Sequence, residues 1–221
     1  MAALRRRFGS TDQNPVDFDL GSSADTARTG VPTHEYLMKL NWRNNKMLSP
    51  RIETNRLILR RYKESDIDAV YEIITDERLA KYIKYPALTK DEELECIRKW
   101  ISEADENECE KWVMELKSTG EVVGNIDVNT VVRKHNYCNV GYTVRYKHWG
   151  NGYAAEALKA VADHLLNNRG YYLVECSCNE LNVQSFRVME KAGFKKDGYI
   201  ANRRLNKDGK YSGVVYYSKV L

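Results

Sequence analysis

The sequence predicts one mixed α/β domain preceded by a polar extension. Segments of alternating polarity at Trp112–Leu116, Val122–Val128 and Tyr137–Val144 predict three consecutive strands, because side chains on a strand point to its two faces in turn. A long stretch with one apolar helical face follows, and the chain then continues into a further strand, a helix and a hairpin. At 221 residues the chain is long enough for one well-packed domain with a tail.

The sequence of the first part of the domain predicts one strand and two helices. Residues 55–62 form the predicted strand, with their leucines on one face. Ser65 is a plausible N-cap for the first helix, and Thr89 with Glu92 forms a capping box before the second. The apolar residues of these helices are Ile67, Val70, Tyr71 and Ile74 in the first, and Leu94, Ile97, Trp100 and Ile101 in the second.

The remaining elements follow the three central strands, of which the first two are linked around Ser118–Gly120. The spacing predicts a helix that ends at Gly170, a strand over Tyr172–Cys178, a helix over Val183–Ala192, and a hairpin turning at Asp208–Gly209. The predicted order is therefore β-α-α-β-β-β-α-β-α-β-β. The long helix carries one apolar stripe, formed by Ala154, Ala155, Leu158, Val161, Ala162, Leu165 and Leu166.

A glycine-containing turn joins the third central strand to the long helix. Gly150 and Gly152 lie directly before the helix, where several unsatisfied N–H groups and the positive end of the helix dipole favour a phosphate or pyrophosphate. A plain tight turn is the alternative. A dinucleotide fingerprint would require glycine where the chain has Ala155, and no Walker sequence occurs, so these two nucleotide-binding classes are excluded.

Two sequence blocks resemble a known family. Lys147-x-x-Gly150-x-Gly152 resembles the Q/R-x-x-G-x-G/A acetyl-CoA loop of the GNAT N-acetyltransferases, and residues 149–157 resemble that stretch in the ribosomal-protein N-terminal acetyltransferase branch. About thirty residues later, the block from Asn182 through Ser185 to Phe194 resembles the N-x-x-S…E-K-x-G-F block of the same branch. The resemblance covers roughly Arg51–Leu221.

The resemblance implies a fold, a cofactor and a set of site residues. The fold would be a mostly antiparallel twisted sheet of about seven strands with helices on both faces, a GNAT fold of the α+β type. Asn182 would bond to the pantetheine arm of acetyl-CoA, and Ser185 would lie near the thioester sulfur as a candidate general acid. An ordinary serine at a helix start is the alternative for Ser185. The predicted cofactor-binding residues are Val144, Lys147, His148, Trp149, Gly150, Asn151, Gly152, Tyr153, Ala154, Asn182 and Ser185.

The general base is not evident from the sequence. Many relatives carry an acidic residue two positions before the Gly-Tyr of the fourth strand, where this chain has Asn139. An amide cannot accept a full proton, so either a water chain or another carboxylate deprotonates the amine. Asp127 and Glu175, each on a predicted central strand, are the candidate catalytic carboxylates, with a structural or substrate-orienting role as the alternative.

Composition restricts the setting and the partners. Five cysteines spread through predicted helices and strands argue against a disulfide framework and predict a cytoplasmic protein, with Cys176 and Cys178 in the core. A net charge of +4 with dispersed basic residues does not indicate nucleic acid as the primary partner, while Lys147, His148 and Arg187 would favour an acidic ligand. The sequence shows no metal-ligand spacing, no apolar run of about eighteen residues and no secretory signal, so neither a metal nor a membrane is expected.

The chain divides into a tail and a domain. Residues 1–48 contain a stretch rich in Gly, Ser, Thr, Asp and Asn that cannot bury enough apolar surface to offset the entropy of ordering, so a poorly structured extension is expected. A natural linker, an interaction arm and an expression remnant are all consistent with it, as is docking of residues 34–47 on the domain. Residues 49–221 form the predicted acetyltransferase domain.

The expected function is acetyl-CoA-dependent N-acetylation of a primary amine by direct attack. A protein N-terminal amine is the acceptor that the resembling branch suggests, and a small-molecule amine or antibiotic is the alternative. A non-catalytic CoA-binding module is a rival from another class, because of Asn139 and the tail. The sequence leaves open whether the chain forms a homodimer.

Overall fold

The computed structural model describes residues 48–80, 82, 88–106, 109–206 and 209–221. Within these ranges, eight strands form one sheet in the order β1-β2-β3-β4-β5-β6-β8-β7. The strands are β1 Ile52–Glu53, β2 Leu57–Arg60, β3 Lys111–Leu116, β4 Val122–Val132, β5 Tyr137–Val144, β6 Leu173–Asn179, β7 Lys195–Leu205 and β8 Tyr211–Val220. The helices are α1 Ile67–Thr75, α2 Glu77–Ala80, α3 Lys90–Ser102, α4 Tyr153–Asn167 and α5 Val183–Lys191.

The sheet is antiparallel throughout except between β5 and β6. These two strands pair in parallel over only three rows, Tyr137–Asn139 against Leu173–Glu175. Beyond Asn139 and Glu175 the strands no longer pair, although β5 continues to Val144 and β6 to Asn179. A cleft therefore opens in the middle of the sheet, at the carboxyl ends of two parallel strands.

Helices cover both faces of the sheet, as the family resemblance implies. In β3, Trp112 and Met114 belong to the large core cluster that includes the buried side chains of α4 and α5, whereas Val113 belongs to a smaller cluster with α1 and α3. Alternate side chains of a strand point to opposite faces, so the two clusters lie on opposite sides of β3. The predicted apolar stripe of α4 is confirmed, since Leu158, Val161 and the other residues named for it are buried, except Ala154, which is partly buried.

Most predicted elements are present, with local corrections. The capping box of α3 is confirmed, because the Thr89 side chain accepts from the N–H of Glu92 and the Glu92 carboxylate accepts from the N–H of Thr89 at 2.8 Å. The N-cap prediction for Ser65 is wrong: Ser65 lies in a 3₁₀ turn and Asp66 directly precedes α1. Two short elements, β1 and α2, were not predicted. The hairpin joins β7 to β8, and its predicted turn residue Asp208 lies outside the described residues.

A buried ionic cluster fixes the start of the described chain. Glu110 accepts two hydrogen bonds from Arg169, at 2.7 and 3.1 Å, and accepts another from the N–H of Ser49. His164 on α4 lies 3.7 Å from the same carboxylate. The indole of Trp112 donates to the carbonyl of Pro50 at 2.8 Å. Residues 48–50 are thus part of the folded domain, whereas the sequence places the boundary after residue 48, and residues 1–47 lie outside the described residues.

Candidate active site

The glycine turn before α4 has the backbone shape that the sequence indicates. Gly150 and Gly152 both have φ of +81°, a conformation that L side chains rarely adopt. The N–H groups of His148 and Trp149 bond inside the preceding 3₁₀ turn. In the described part of the chain, those of Gly150, Asn151 and Gly152 bond to no main-chain carbonyl. The exposed donors therefore begin at Gly150 and continue into the first turn of α4.

The turn is held in place by the loop between β1 and β2. Arg56 donates to the carbonyl of Asn151 at 2.9 Å and to Glu156 of α4 at 2.7 Å. Glu156 also accepts from Thr54 at 2.6 Å. Burial opposes ionisation of Glu156, but the hydrogen bonds from Thr54 and Arg56 outweigh it and lower the pKa of the carboxyl. Arg56 is therefore a support of the turn, and it lies about 100 residues away in the chain.

A cleft of about 400 Å³ lies between the glycine turn and the start of α5. Its walls come from both sides of the opening between β5 and β6, and a cleft of this size accommodates an extended small-molecule arm. Lining residues that were predicted to bind the cofactor are Val144, His148, Trp149, Gly150, Gly152, Tyr153, Ala154, Asn182 and Ser185. Further lining residues are Leu79, Tyr82, Tyr142, Thr143, Ala155, Gln184, Arg187, Val188 and Lys191.

Two predicted binding residues do not line this cleft. Lys147 forms an ion pair with Glu121 at 2.6 Å, and the Asn151 side chain donates to the carbonyl of His148 at 3.0 Å. Both side chains therefore support the loop. In their place, Arg187 and Lys191 on α5 bring positive charge to the cleft, and within the described residues neither forms an ion pair.

Ser185 is hydrogen-bonded to a tyrosine on the other wall of the cleft. The Tyr142 hydroxyl lies 2.8 Å from the Ser185 hydroxyl and donates to the Ser185 carbonyl at 3.2 Å. Burial raises the pKa of Tyr142, so its phenol stays protonated at neutral pH. Asn182 caps α5, its side-chain oxygen accepting from the N–H of Ser185 at 3.2 Å. The structure thus brings Asn182 and Ser185 together with Tyr142, and both hydroxyl groups can carry a proton.

The two candidate carboxylates are separated from each other. Glu175 accepts from the Asn139 side chain at 2.8 Å in the last paired row of β5 and β6, where the opening begins. Asp127 lies on β4, which neighbours β5 on the side away from β6. It accepts hydrogen bonds from Asn125 at 3.0 Å and from Tyr62 at 3.4 Å. Neither carboxylate lines the cleft itself. The described residues contain no group of His, Cys, Asp and Glu that could hold a metal ion.

The cysteines that the sequence assigns to the core are buried. Cys176 is 1% exposed and Cys178 is 7% exposed. Burial raises the pKa of Cys178, and a hydrogen bond with Ser185 lowers it by less. No helix among the residues described by the structure is long and apolar enough to cross a membrane.

Comparison with known proteins identifies the family. A model of the acetyltransferase (GNAT) domain matches residues 56–195, which include the glycine turn, both walls of the cleft and α5. The chain belongs to this family and is an N-acetyltransferase. It is 26% identical over 168 residues to the uncharacterized N-acetyltransferase YoaA of Bacillus subtilis, covering 76% of this chain and 95% of YoaA.

Solved structures share the fold. A GNAT-family acetyltransferase from Bacillus anthracis superimposes with a TM-score of 0.69 at 24% identity, covering 77% of this chain and 98% of that one. RimL, a ribosomal L7/L12 α-N-protein acetyltransferase solved with coenzyme A, has a TM-score of 0.69 at 17% identity, covering 79% and 98%. At these identities the likeness establishes the architecture, and the predicted GNAT fold is confirmed.

Proposed function

We propose that this chain transfers the acetyl group of acetyl-CoA to a primary amine by direct attack. The observation that carries the proposal is the cleft between β5 and β6, with exposed N–H groups at the start of α4 on one side and the Tyr142–Ser185 pair on the other. Family membership supports the reaction class, and MccE, a solved structure of the same fold, is described in complex with acetyl-CoA. No covalent intermediate with the enzyme is needed.

The residues that would hold acetyl-CoA divide by chemistry. Main-chain N–H groups from Gly150 to Ala154 suit a pyrophosphate, since glycine lets the ligand approach the backbone and the helix dipole favours negative charge. Arg187 and Lys191 add positive charge to the cleft. Asn182 and the main chain of Val144 suit the amides of pantetheine, although the Val144 carbonyl already accepts from Trp149 at 2.7 Å. The thioester supplies the activated acetyl group.

The Tyr142–Ser185 pair suits protonation of the leaving thiolate. As the amine nitrogen bonds to the carbonyl carbon, the carbon–sulfur bond breaks and sulfur gains a charge that a nearby donor can neutralise. Two hydroxyl groups 2.8 Å apart can pass a proton along one hydrogen bond, so Tyr142 can restore the proton that Ser185 gives up. Of the two candidate bases for the amine proton, Glu175 is the better placed, because it stands where the strands begin to separate.

We propose a protein N-terminal amine as the acceptor. The sequence resembles the branch that acts on ribosomal proteins, and RimL is named for that activity. A small amine is the second candidate, because structures of the same fold are also described as a microcin C7 self-immunity acetyltransferase and a spermidine N-acetyltransferase.

The test is release of free thiol from acetyl-CoA across a panel of amines. The panel contains peptides with free Ser, Ala or Met N-termini, the same peptides with blocked N-termini, spermidine and an aminoglycoside, and mass spectrometry locates the acetyl group. Thiol release with free peptides alone supports the protein acceptor, and release with spermidine or the aminoglycoside alone supports a small amine. Tight acetyl-CoA binding with no transfer to any amine would overturn the proposed reaction in favour of a binding module.

A further inference from the structure

An irregularity in β4 places one side chain out of the regular pattern. The register between β4 and β5 shifts between Val128 and Thr130, so Asn129 is the extra residue of a β-bulge. Bulges redirect a side chain and are common beside active sites. The Asn129 amide lies over Gly141 of β5, where an added Cβ would be only 2.5 Å from its nitrogen. Glycine at position 141 therefore leaves the space that the Asn129 side chain occupies.

Asn129 begins a chain of hydrogen bonds that ends at Glu175. Its amide nitrogen donates to the Asn139 side-chain oxygen at 3.3 Å, and the Asn139 nitrogen donates to Glu175 Oε1 at 2.8 Å. Because the oxygen of Asn139 is taken by Asn129, its NH₂ group must face the carboxylate. The direction of the Asn139 amide is thus fixed by the bulge, and it gives Glu175 a permanent neutral donor.

Glu175 differs from two other carboxylates in or beside the strands of the sheet, Glu110 and Glu115. Glu110 and Glu115 each form an ion pair with a buried or half-buried arginine. Among the described residues, the half-buried Glu175 bonds to the neutral Asn139 amide and forms no ion pair. Its second oxygen accepts no hydrogen bond within the described residues, and the side chain stands in the row where β5 and β6 separate.

Few charged groups face Glu175 from the neighbouring strands. Its cross-strand neighbours are Asn139 on β5 and Ser218 on β8. Tyr137 and Tyr216 stand diagonally across on the same face, and Lys195 of β7 pairs with Ser218 one strand further away. Asn139 is therefore the polar side chain that bonds directly to Glu175 among the described residues.

We propose that Glu175 is the general base and that Asn139 and Asn129 are positioning residues for it. The inference rests on the proposed acetyl transfer. The acceptor nitrogen bonds to the acetyl carbon and gives its proton to Glu175, while the carbon–sulfur bond breaks and the thiolate takes a proton from the Tyr142–Ser185 pair. Position 139, where many relatives carry an acidic residue, thus holds an amide that orients a carboxylate on the adjacent strand.

The first experiment measures the ionisation of Glu175 without any substrate. Carboxyl ¹³C NMR of the full chain follows its titration, with the signal assigned by its loss in Glu175→Gln. Asn139→Ala removes a donor to the charged form, and Asn139→Asp adds a like charge at hydrogen-bond distance, so each should raise the pKa of Glu175, the second by about one unit or more. Asn129→Ala should raise it by less. Asn167→Ala, on the exposed face of α4, is the matched control and should leave it unchanged.

The second experiment follows kcat/KM against pH with the amine that the panel identifies. Glu175→Gln should lower kcat by roughly 10² or more, with acetyl-CoA affinity retained. Asn139→Asp should move the acidic limb of the profile to higher pH, in step with the NMR value. Full kcat in Glu175→Gln with chemistry rate-limiting would overturn this inference and leave acetyl transfer standing. An unmoved Glu175 titration in both Asn139 variants would remove the positioning role, and a wild-type chain that acetylates no amine would overturn both proposals.

Discussion

Gly152 is a single residue on which two separate properties of the cleft depend. Its φ of +81° shapes the turn, and its missing side chain leaves the N–H groups open to a ligand. An added Cβ would lie 3.6 Å from the Arg56 guanidinium, so space inside the protein does not forbid a substitution there. The ligand side of the turn is where a larger residue would obstruct.

Gly152→Val should weaken acetyl-CoA binding at least roughly tenfold, because a branched side chain at a positive φ both strains the turn and covers the donors. Isothermal titration calorimetry on the folded variant measures the loss. Gly120→Val is the matched control, since Gly120 has φ of +72°, no atom within 4 Å of its Cβ position, and a place in the distant turn between β3 and β4. Equal affinity in wild type and Gly152→Val would place the cofactor elsewhere.

Ser185→Ala should lower kcat by roughly 10²-fold with little change in acetyl-CoA affinity, because a proton donor used only in the transition state contributes little to ground-state binding. Tyr142→Phe removes the partner hydroxyl and retains the ring. Steady-state and single-turnover kinetics of both single variants and the double variant test the pair. If the two hydroxyls act as one unit, the double variant should be little slower than Ser185→Ala. Nearly full kcat in Ser185→Ala, with chemistry limiting, would reduce the serine to a helix-start residue.

Local sequence predicts the residues whose role depends on near neighbours. The roles of Gly150 and Gly152 can be predicted because a strand, a turn and a helix follow one another in the sequence. Asn182 caps α5 by accepting from the N–H of Ser185, three residues later. The contact of Tyr142 with Ser185 joins positions 43 apart, and that of Arg56 with Glu156 joins positions 100 apart. Such contacts exist only after the sheet has assembled, so no local pattern reveals them.

At the scale of the element, the buried Glu110 directly precedes β3. Burial opposes ionisation of this carboxyl, but its contacts with His164 and Arg169 outweigh burial and hold the pKa of Glu110 below the ordinary value of 4.5. A lowered pKa contributes stability that is fully present above the unfolded value and is lost as pH falls through the folded value. The start of β3 should therefore lose stability in acid.

Glu110→Gln should lower the free energy of unfolding by about 3–5 kcal/mol at neutral pH, because it removes the buried negative charge that faces the Arg169 guanidinium. Urea denaturation from pH 7 to pH 3 measures this, and the difference from wild type should shrink as the pH falls from 4.5 toward the lower folded-state pKa of Glu110, below which the wild-type carboxyl is also neutral. Glu53→Gln, in an exposed pair with Lys117, is the control and should change little. A difference that stays constant with pH would show that packing, and not charge, holds the cluster.

Element boundaries show where local rules compete. Ser65 and Asp66 are both good helix starters, and Asp66 is the one buried with two hydrogen bonds from Arg60 at 2.8 Å. Arg60 belongs to β2, so a contact between two elements, and not the local sequence alone, sets the start of α1. In α1 the buried residues are Val70 and Ile73, and the predicted Tyr71 and Ile74 are only partly covered. The sequence therefore predicts the helix correctly, but the face that is buried in the structure is centred on Val70 and Ile73.

At the scale of the molecule, the order of the elements along the chain follows from the sequence, but their order across the sheet does not. β8 lies between β6 and β7, and β6 is paired in parallel with β5. Alternating polarity shows that a segment is a strand without showing which strand it joins. The mostly antiparallel sheet was expected from the resemblance to a known family. The structure adds the row after which β5 and β6 separate.

Removing residues 1–47 should leave a folded domain that binds acetyl-CoA, because the composition of this segment gives it little capacity to join a core. The deletion stops at residue 47 because Leu48 is 7% exposed and its carbonyl accepts from Arg61. Extending the deletion through Pro50 also removes the Ser49 N–H that bonds to Glu110 and the Pro50 carbonyl that bonds to Trp112. This longer deletion should lower the Tm by several degrees. Circular dichroism melting of both truncations gives the comparison. A shorter truncation that precipitates or fails to bind acetyl-CoA would make the tail structural.

The three paired rows between β5 and β6 divide the sheet into two plates, β1 to β5 on one side and β6, β8 and β7 on the other. A molecule that contacts Trp149 on one side and Asn182 on the other would connect the two plates across the cleft. Its departure leaves the second plate attached to the first by the three rows and by the packing of α4. A ligand in the cleft would therefore add contacts across these three rows and restrain shear between the two plates.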